Sequence, residues 1–265
     1  MQKGFVALLD VLGFSALVSS ETGSDRLQRY LECLQNVFGM RSGVAADVDY
    51  VVFSDSIVLT GKGDSEASLQ ALVQQCSKLF GAMLENEFAL RGAIAYGSYL
   101  RAEGEGGIFV AGNPIIEAYR YETAQDWVGI MLSPSVVKRM PNLASLCALR
   151  AYSTKEQLED LKGRLDWAPF VQPSYNIPFH GTNFADTPFF HGFAVLPTNG
   201  SNKPSDVRNS LRVSVSGLSR LKSIAPNPDA QAKYSRSSQF LENVLKCWDT
   251  IVYSLDRYST IAPDR

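Results

Sequence analysis

Phe5 to Ser15 reads FVALLDVLGFS: a short apolar run stops on a carboxylate, Asp10, and a glycine turn follows. The run is strand-length and Asp10 stands at its end. By itself that arrangement also fits an aspartate that caps the next turn. A second stretch raises its weight. Tyr50 to Thr60, YVVFSDSIVLT, has two β-rich runs flanking Ser54-Asp55-Ser56, the pattern of a hairpin with Asp55 at its tip. Two carboxylates isolated at backbone reversals suggest a metal site.

Outward from these two points, Leu27, Tyr30, Leu31, Leu34, Val37 and Phe38 recur at helical spacing after a start at Ser24-Asp25. Leu69, Leu72, Val73, Cys76, Leu79, Phe80, Met83 and Leu84 mark a second helix. With hairpin strands over about 47 to 53 and 56 to 61 and a fourth strand at Leu90 to Gly97, the order is βαββαβ, a ferredoxin-like α+β core. A right-handed crossover then makes the first two strands parallel with the third between them. Asp10 and Asp55, 45 positions apart, come to one edge of the sheet.

Farther on, Arg101 to Gly107 reads as a polar hairpin turn and Ile108 to Ala111 as a returning strand. Asn113 is the expected cap of a helix with Pro114 in its first turn and Arg120 on its surface. Trp127 to Leu132 is a further strand, and Ser133-Pro134 opens a short helix. From about residue 141 the character changes: eight of the twelve prolines fall between Pro169 and Pro228, among aromatics. That density predicts loops and edge strands without long helices, His191 to Leu196 being the clearest strand. A long final helix is expected over about 229 to 255. The whole is read as one domain, a core of 1–140 with an integrated elaboration of 141–265.

At 265 residues, 45% hydrophobic and a net charge of −2, the chain has a globular composition with no basic footprint for a nucleic-acid backbone. No stretch approaches a membrane span, and Phe5 to Leu9 is too short for a signal-peptide core, so a cytoplasmic location is expected. Cys33, Cys76, Cys147 and Cys247 lack CxxC spacing and read as reduced thiols. His180 and His191 have no ligand cluster near them and read as structural.

Over residues 4 to 135 the pattern resembles the catalytic domain of class III nucleotide cyclases. Asp10, Gly13, Phe14 and Ser15 match the family's strand-end aspartate and Gly-Phe-Ser/Thr turn, and Asp55 its hairpin aspartate. LRGAIAYG is similar to the Arg-x-Gly-Ile-x-x-Gly strand, and GNPIIEAYRYE preserves Gly112, Ala118, Arg120 and Glu122 of the helix motif. The resemblance implies attack of a ribose 3'-hydroxyl on the α-phosphorus of a nucleoside triphosphate, with pyrophosphate leaving. Two divalent cations, Mg²⁺ or Mn²⁺, would be held by Asp10, Val11 and Asp55. Main-chain amides of Leu12, Gly13, Phe14 and Ser15 would cradle phosphates, with the Ser15 hydroxyl as a further donor. Arg120 would meet charge at the α-phosphate, where the alternative is a solvated arginine paired with Glu117. The family's head-to-tail dimers imply a homodimer with shared sites.

The departures matter as much. The family asparagine falls on Ile116, the adenine-reading lysine and acidic positions on Val51 and Phe109, and the triphosphate-binding lysine is not identifiable. Phe109 reads as a core aromatic, while Tyr50, beside the lost lysine position, is the candidate base contact. Loss of both adenine-reading groups looks like the pyrimidine cyclases of bacterial Pycsar antiphage systems, which make cyclic UMP or cyclic CMP for a separate effector. UTP is favoured over CTP. A purine cyclase, a polymerase-palm or diguanylate-cyclase-like enzyme and a decayed nucleotide-binding module are the alternatives.

Overall fold

A computed structural model describes residues 1–20, 22–39, 48–104, 107–149, 154–174, 177–180 and 192–259. Strand β1 (Gln2–Val11) alternates: Phe5, Ala7, Leu9 and Val11 enter one core, and Leu8 packs on the other side. After it come α1 (Phe14–Val18), α2 (Gly23–Phe38), β2 (Val48–Phe53), β3 (Ser56–Gly61) and α3 (Glu66–Glu85). Then follow β4 (Leu90–Gly104), β5 (Gly107–Gly112), α4 (Asn113–Ala124) and β6 (Gly129–Leu132). The sheet order is β2-β3-β1-β4, with β1 antiparallel to both neighbours, so the βαββαβ expectation holds. Helices α2 and α3 cover the face that Leu9 points to, and α4 lies against β1 and β4.

The second half continues the same sheet. Short helices α5 (Pro134–Arg139), α6 (Leu143–Cys147) and α7 (Lys155–Lys162) lead to β7 (Val171–Ser174) and β8 (Gly192–Val195), which extend it as β4-β6-β8-β7. Helices α8 (Pro204–Ser223) and α9 (Pro228–Ser259) close the chain, so the architecture is α+β with a helical C-terminal end. Val207, Leu211, Leu218, Trp248 and Ile251 from these helices share a core cluster with Phe5 and Leu9.

Some expectations need correction. A 20-residue helix, α8, stands inside the interval where proline density was read as excluding long helices. Pro204 occupies its first turn, where a missing donor costs nothing, and no other proline follows until Pro226. β4 runs on to Gly104, past the expected end at Gly97, and Arg101 lies in the strand, not in a turn. Gly112, not Asn113, is the N-cap of α4. Phe109 is more exposed than a core aromatic should be, at 56%. The cysteines are all free, three buried and Cys247 exposed. His180 donates from Nε2 to Asp126 at 2.9 Å, a structural contact, whereas His191 lies outside the described residues.

A close crossing fixes α8 on α3: a Cβ built on Gly217 would stand 2.3 Å from the Leu84 carbonyl oxygen. Gly217→Val is therefore expected to cost about 1–3 kcal/mol through overpacking. Urea unfolding measures it, and an unchanged midpoint would contradict this docking of α8.

Candidate functional site

Asp10 is the last solvent-reaching position of β1 and pairs across the ladder with Ser56 on β3 and Arg91 on β4. One residue on, the Val11 amide donates to the Asp55 carbonyl at 3.1 Å, which ties the β1 end to the β2–β3 turn. That turn has two residues, Ser54 and Asp55, with Ser54 at φ 58° in the left-handed region. The Tyr30 hydroxyl donates to the Ser54 carbonyl and braces the turn from below. The structure thus brings Asp10 and Asp55 together, as expected. Among the described residues neither carboxylate accepts a hydrogen bond or forms an ion pair.

Like charges placed this way act on each other. Burial raises the Asp10 carboxyl above its ordinary 3.8, the Asp55 charge raises it further, and Arg91 pulls it back. Hard oxygen donors without protein partners are the donor chemistry of Mg²⁺ or Mn²⁺, ions held by one or two carboxylates plus substrate phosphates. No group of three or more potential metal-ligating side chains occurs among the described residues, so the two carboxylates are the side-chain oxygens that this end of the sheet offers a cation. Val11 has its side chain in the core, which leaves only a main-chain oxygen for a cation.

The turn after Asp10 is partly available. The Leu12 amide already donates to the Ala89 carbonyl at 2.9 Å, so it is not free to hold phosphate. Gly13, at φ 76°, precedes α1, and the amides of Phe14 and Ser15 open that helix without intrahelical acceptors. The Phe14 ring is buried edge-on to Tyr30, and the Ser15 side chain is exposed.

One expected residue, Tyr50, is not brought to the aspartates. Tyr50 pairs with Leu59, whose side chain enters the α2–α3 core, so it lies on the opposite face of the sheet from Asp10. There its ring stacks on Phe38 with centroids 4.0 Å apart. Within one chain Tyr50 and the two aspartates thus face opposite sides of the sheet. Val51, one residue on, faces the Asp10 side through Val58 and Leu8. Arg120 is exposed on α4 and lines a cavity of about 410 Å³ with Asn113, Ile116, Glu117 and Tyr121. Glu117, its partner in the alternative reading, instead accepts the Ser135 amide at 3.3 Å.

Sequence reasoning missed the ion pair behind the site. Arg91 donates from Nε and Nη2 to Glu122 Oε1 at 2.7 and 2.6 Å, and from Nη1 to the Gln125 carbonyl at 3.2 Å. Burial pushes the Glu122 carboxyl up, and Arg91 opposes that shift. Both residues stood within the quoted motifs; the signal was their opposite charge on two apolar elements. Gln125 adds to the joint by donating to the Gly92 carbonyl at 2.8 Å.

No family model matches this chain, and no curated protein matches it. Among solved structures it is similar to the guanylate cyclase domain of RhGC from Catenaria anguillulae in complex with GTP. Identity is 12% over 73% of this chain and 96% of that one, at a TM-score of 0.45. It is also similar to the adenylyl cyclase CyaB from P. aeruginosa, at 13% over 74% and 94%, TM-score 0.45. A third is an adenylate cyclase from Trypanosoma brucei in its monomeric state, at 11% over 74% and 88%, TM-score 0.46. At such distance function has to be read from the residues themselves.

Folded Asp10 holds its proton more tightly than unfolded Asp10, so it subtracts stability as pH rises from 3.8 through its folded value, and the deficit persists above. In metal-free protein Asp10→Asn is expected to be more stable than wild type at neutral pH. The advantage should vanish below pH 3.8, where both states are protonated. Urea unfolding across pH checks this; a variant less stable than wild type at neutral pH would contradict the stated environment.

Proposed function

We propose that this protein is a nucleotidyl cyclase, converting a nucleoside triphosphate to its 3',5'-cyclic monophosphate and pyrophosphate in a homodimer with two shared sites. The observation that carries the reading is the meeting of Asp10 and Asp55 at one strand end, partly solvent-reaching and without protein partners among the described residues. Two divalent cations bound there would lower the pKa of the ribose 3'-hydroxyl and offset charge on the phosphates. The Phe14 and Ser15 amides and the Ser15 hydroxyl would orient phosphate oxygens at the opening of α1. Asp10 and Asp55 would fix the triphosphate's position relative to that turn.

Arg120 supports the dimeric part of the reading, because it is exposed on α4 and lines a cavity that neither Asp10 nor Asp55 lines. Beside it Ile116 and Tyr119 are 61% and 57% exposed, and Phe53 on the β2–β3 hairpin is 81% exposed. Exposed apolar side chains of that size suit an interface, and a two-fold arrangement uses the same surface twice. Arg120 of each protomer would then complete the site of the other.

For the base, we favour a pyrimidine, UTP before CTP. Val51 faces the Asp10 side without a polar group and Phe109 carries none, so nothing at these positions reads a purine edge. Selection would be by size against an apolar wall, with main-chain donors to a uracil carbonyl.

With Mn²⁺, Asp10→Asn and Asp55→Asn are expected to fold and lose turnover. Arg120→Ala should lower turnover by about 10²–10³-fold. Mixing Arg120→Ala with Asp10→Asn should restore part of it, because one hybrid site carries no lesion. Full activity in an aspartate variant would overturn the reading, and dead mixtures of exchanging dimers would overturn the shared site. Wild type is expected to prefer UTP or CTP, with Tyr50→Ala leaving that preference unchanged. Preference for ATP or GTP would remove the pyrimidine assignment alone. Tight triphosphate binding without any product would favour the non-catalytic module, consistent with Ile116 at the family's asparagine position.

A further inference from the structure

We infer that Glu122 is a positioning residue: it holds the Arg91 guanidinium away from Asp10, and so keeps the Asp10 carboxylate free for a divalent cation. The inference rests on the metal reading of Asp10 and Asp55 and adds to it the group that keeps that pair open.

Arg91 and Asp10 are direct partners in the β1–β4 ladder, on the same face of the sheet. Side chains so paired start about 4.5–5.5 Å apart at Cβ. An arginine there has the reach and the fork geometry to take both oxygens of the neighbouring carboxylate. A guanidinium in that place would occupy the lone pairs that a cation needs. The structure has it elsewhere. Nε and Nη2 both donate to Glu122 Oε1, and Nη1 donates to the Gln125 carbonyl, all on or just past α4.

The diversion is a fixed one. The Arg91 and Glu122 side chains are 13% and 5% exposed, so the pair is not exchanged for water. Gln125 is itself pinned: it donates to the Gly92 and Tyr121 carbonyls and accepts from Trp127 Nε1 at 2.7 Å. Asp10 still feels the charge, since Arg91 lowers its carboxyl and Asp10 in turn raises that of Glu122. Three charges in a row, Asp10, Arg91 and Glu122, leave the arginine with two candidate partners. The Glu122 charge, with the Gln125 carbonyl beside it, keeps it from choosing Asp10. A purely structural pair would leave cation binding at Asp10 unchanged when Glu122 lost its charge.

The test is a titration of the homogeneous protein with Mn²⁺, followed by the electron paramagnetic resonance signal of the free ion, in the presence of inorganic triphosphate. Asp10→Asn is expected to weaken Mn²⁺ binding by about tenfold or more. Glu122→Gln should weaken it about tenfold, because Arg91 turns to Asp10, while the double variant Arg91→Gln, Glu122→Gln should return to within about threefold of wild type. Wild-type affinity in Glu122→Gln, or a double variant as weak as the single, would overturn the inference while the metal reading stands. Insensitivity to Asp10→Asn would overturn both. Should Glu122→Gln melt before it can be titrated, Glu122→Ser is read in its place with the same expected and overturning results, and a double variant tenfold weaker than wild type still overturns the inference.

Discussion

The pairing of β1 between β3 and β4 is the constraint on which the rest depends. Its alternation sends Phe5, Ala7, Leu9 and Val11 into the core beneath α2 and α3, and leaves Asp10 on the other face between Ser56 and Arg91. Strand side chains repeat every two residues, so a slip of one would bury Asp10 and expose Leu9. A lone carboxylate in that core would cost more than the site can return. The same register sets the Val11 amide on the Asp55 carbonyl, which makes the meeting of the two aspartates a consequence of core packing.

Much of this was legible in the chain. The βαββαβ order followed from clear 3.6-residue and two-residue periods, and right-handed crossover left one topology for it. Proline density misled because it averages over position: Pro204 stands where a helix tolerates it, and the following stretch is free of proline until Pro226. Tyr50 misled for a different reason. Its nearness to Val51 in sequence is not nearness in space, because adjacent strand residues face opposite ways. Counting back from Phe53 would have put Val51 and Phe53 on the Asp10 side and Tyr50 on the other. The Arg91–Glu122 pair was hidden because its members lie 31 positions apart, and only tertiary packing of α4 on β4 joins them.

Electrostatically the site is held under load. Among the described residues the two carboxylates are kept side by side without an ion pair of their own, and Arg91, which faces Asp10 across the ladder, is committed to a third carboxylate. Helix α4 therefore links the core to the surface that carries Arg120. Its C-terminal end is also where the later half of the chain attaches. Asp126, just past α4, accepts from His180 at 2.9 Å, also pairs with Arg236, and lies 3.9 Å from Lys233. The Asp126 amide donates to the Pro178 carbonyl at 2.8 Å, and the His180 amide to the Ala124 carbonyl at 2.7 Å. Residues 177–180 and α9 are in this way fastened to the element that positions Glu122 and Arg120.

In the proposed cyclase Asp10 and Asp55 jointly hold divalent cations over a triphosphate. Anomalous diffraction from crystals grown with Mn²⁺ and an α,β-methylene nucleoside triphosphate tests it most directly. Manganese is expected within about 2.0–2.6 Å of carboxylate oxygens from both aspartates. Manganese bound elsewhere, or a bound triphosphate with neither aspartate coordinating metal, would contradict it.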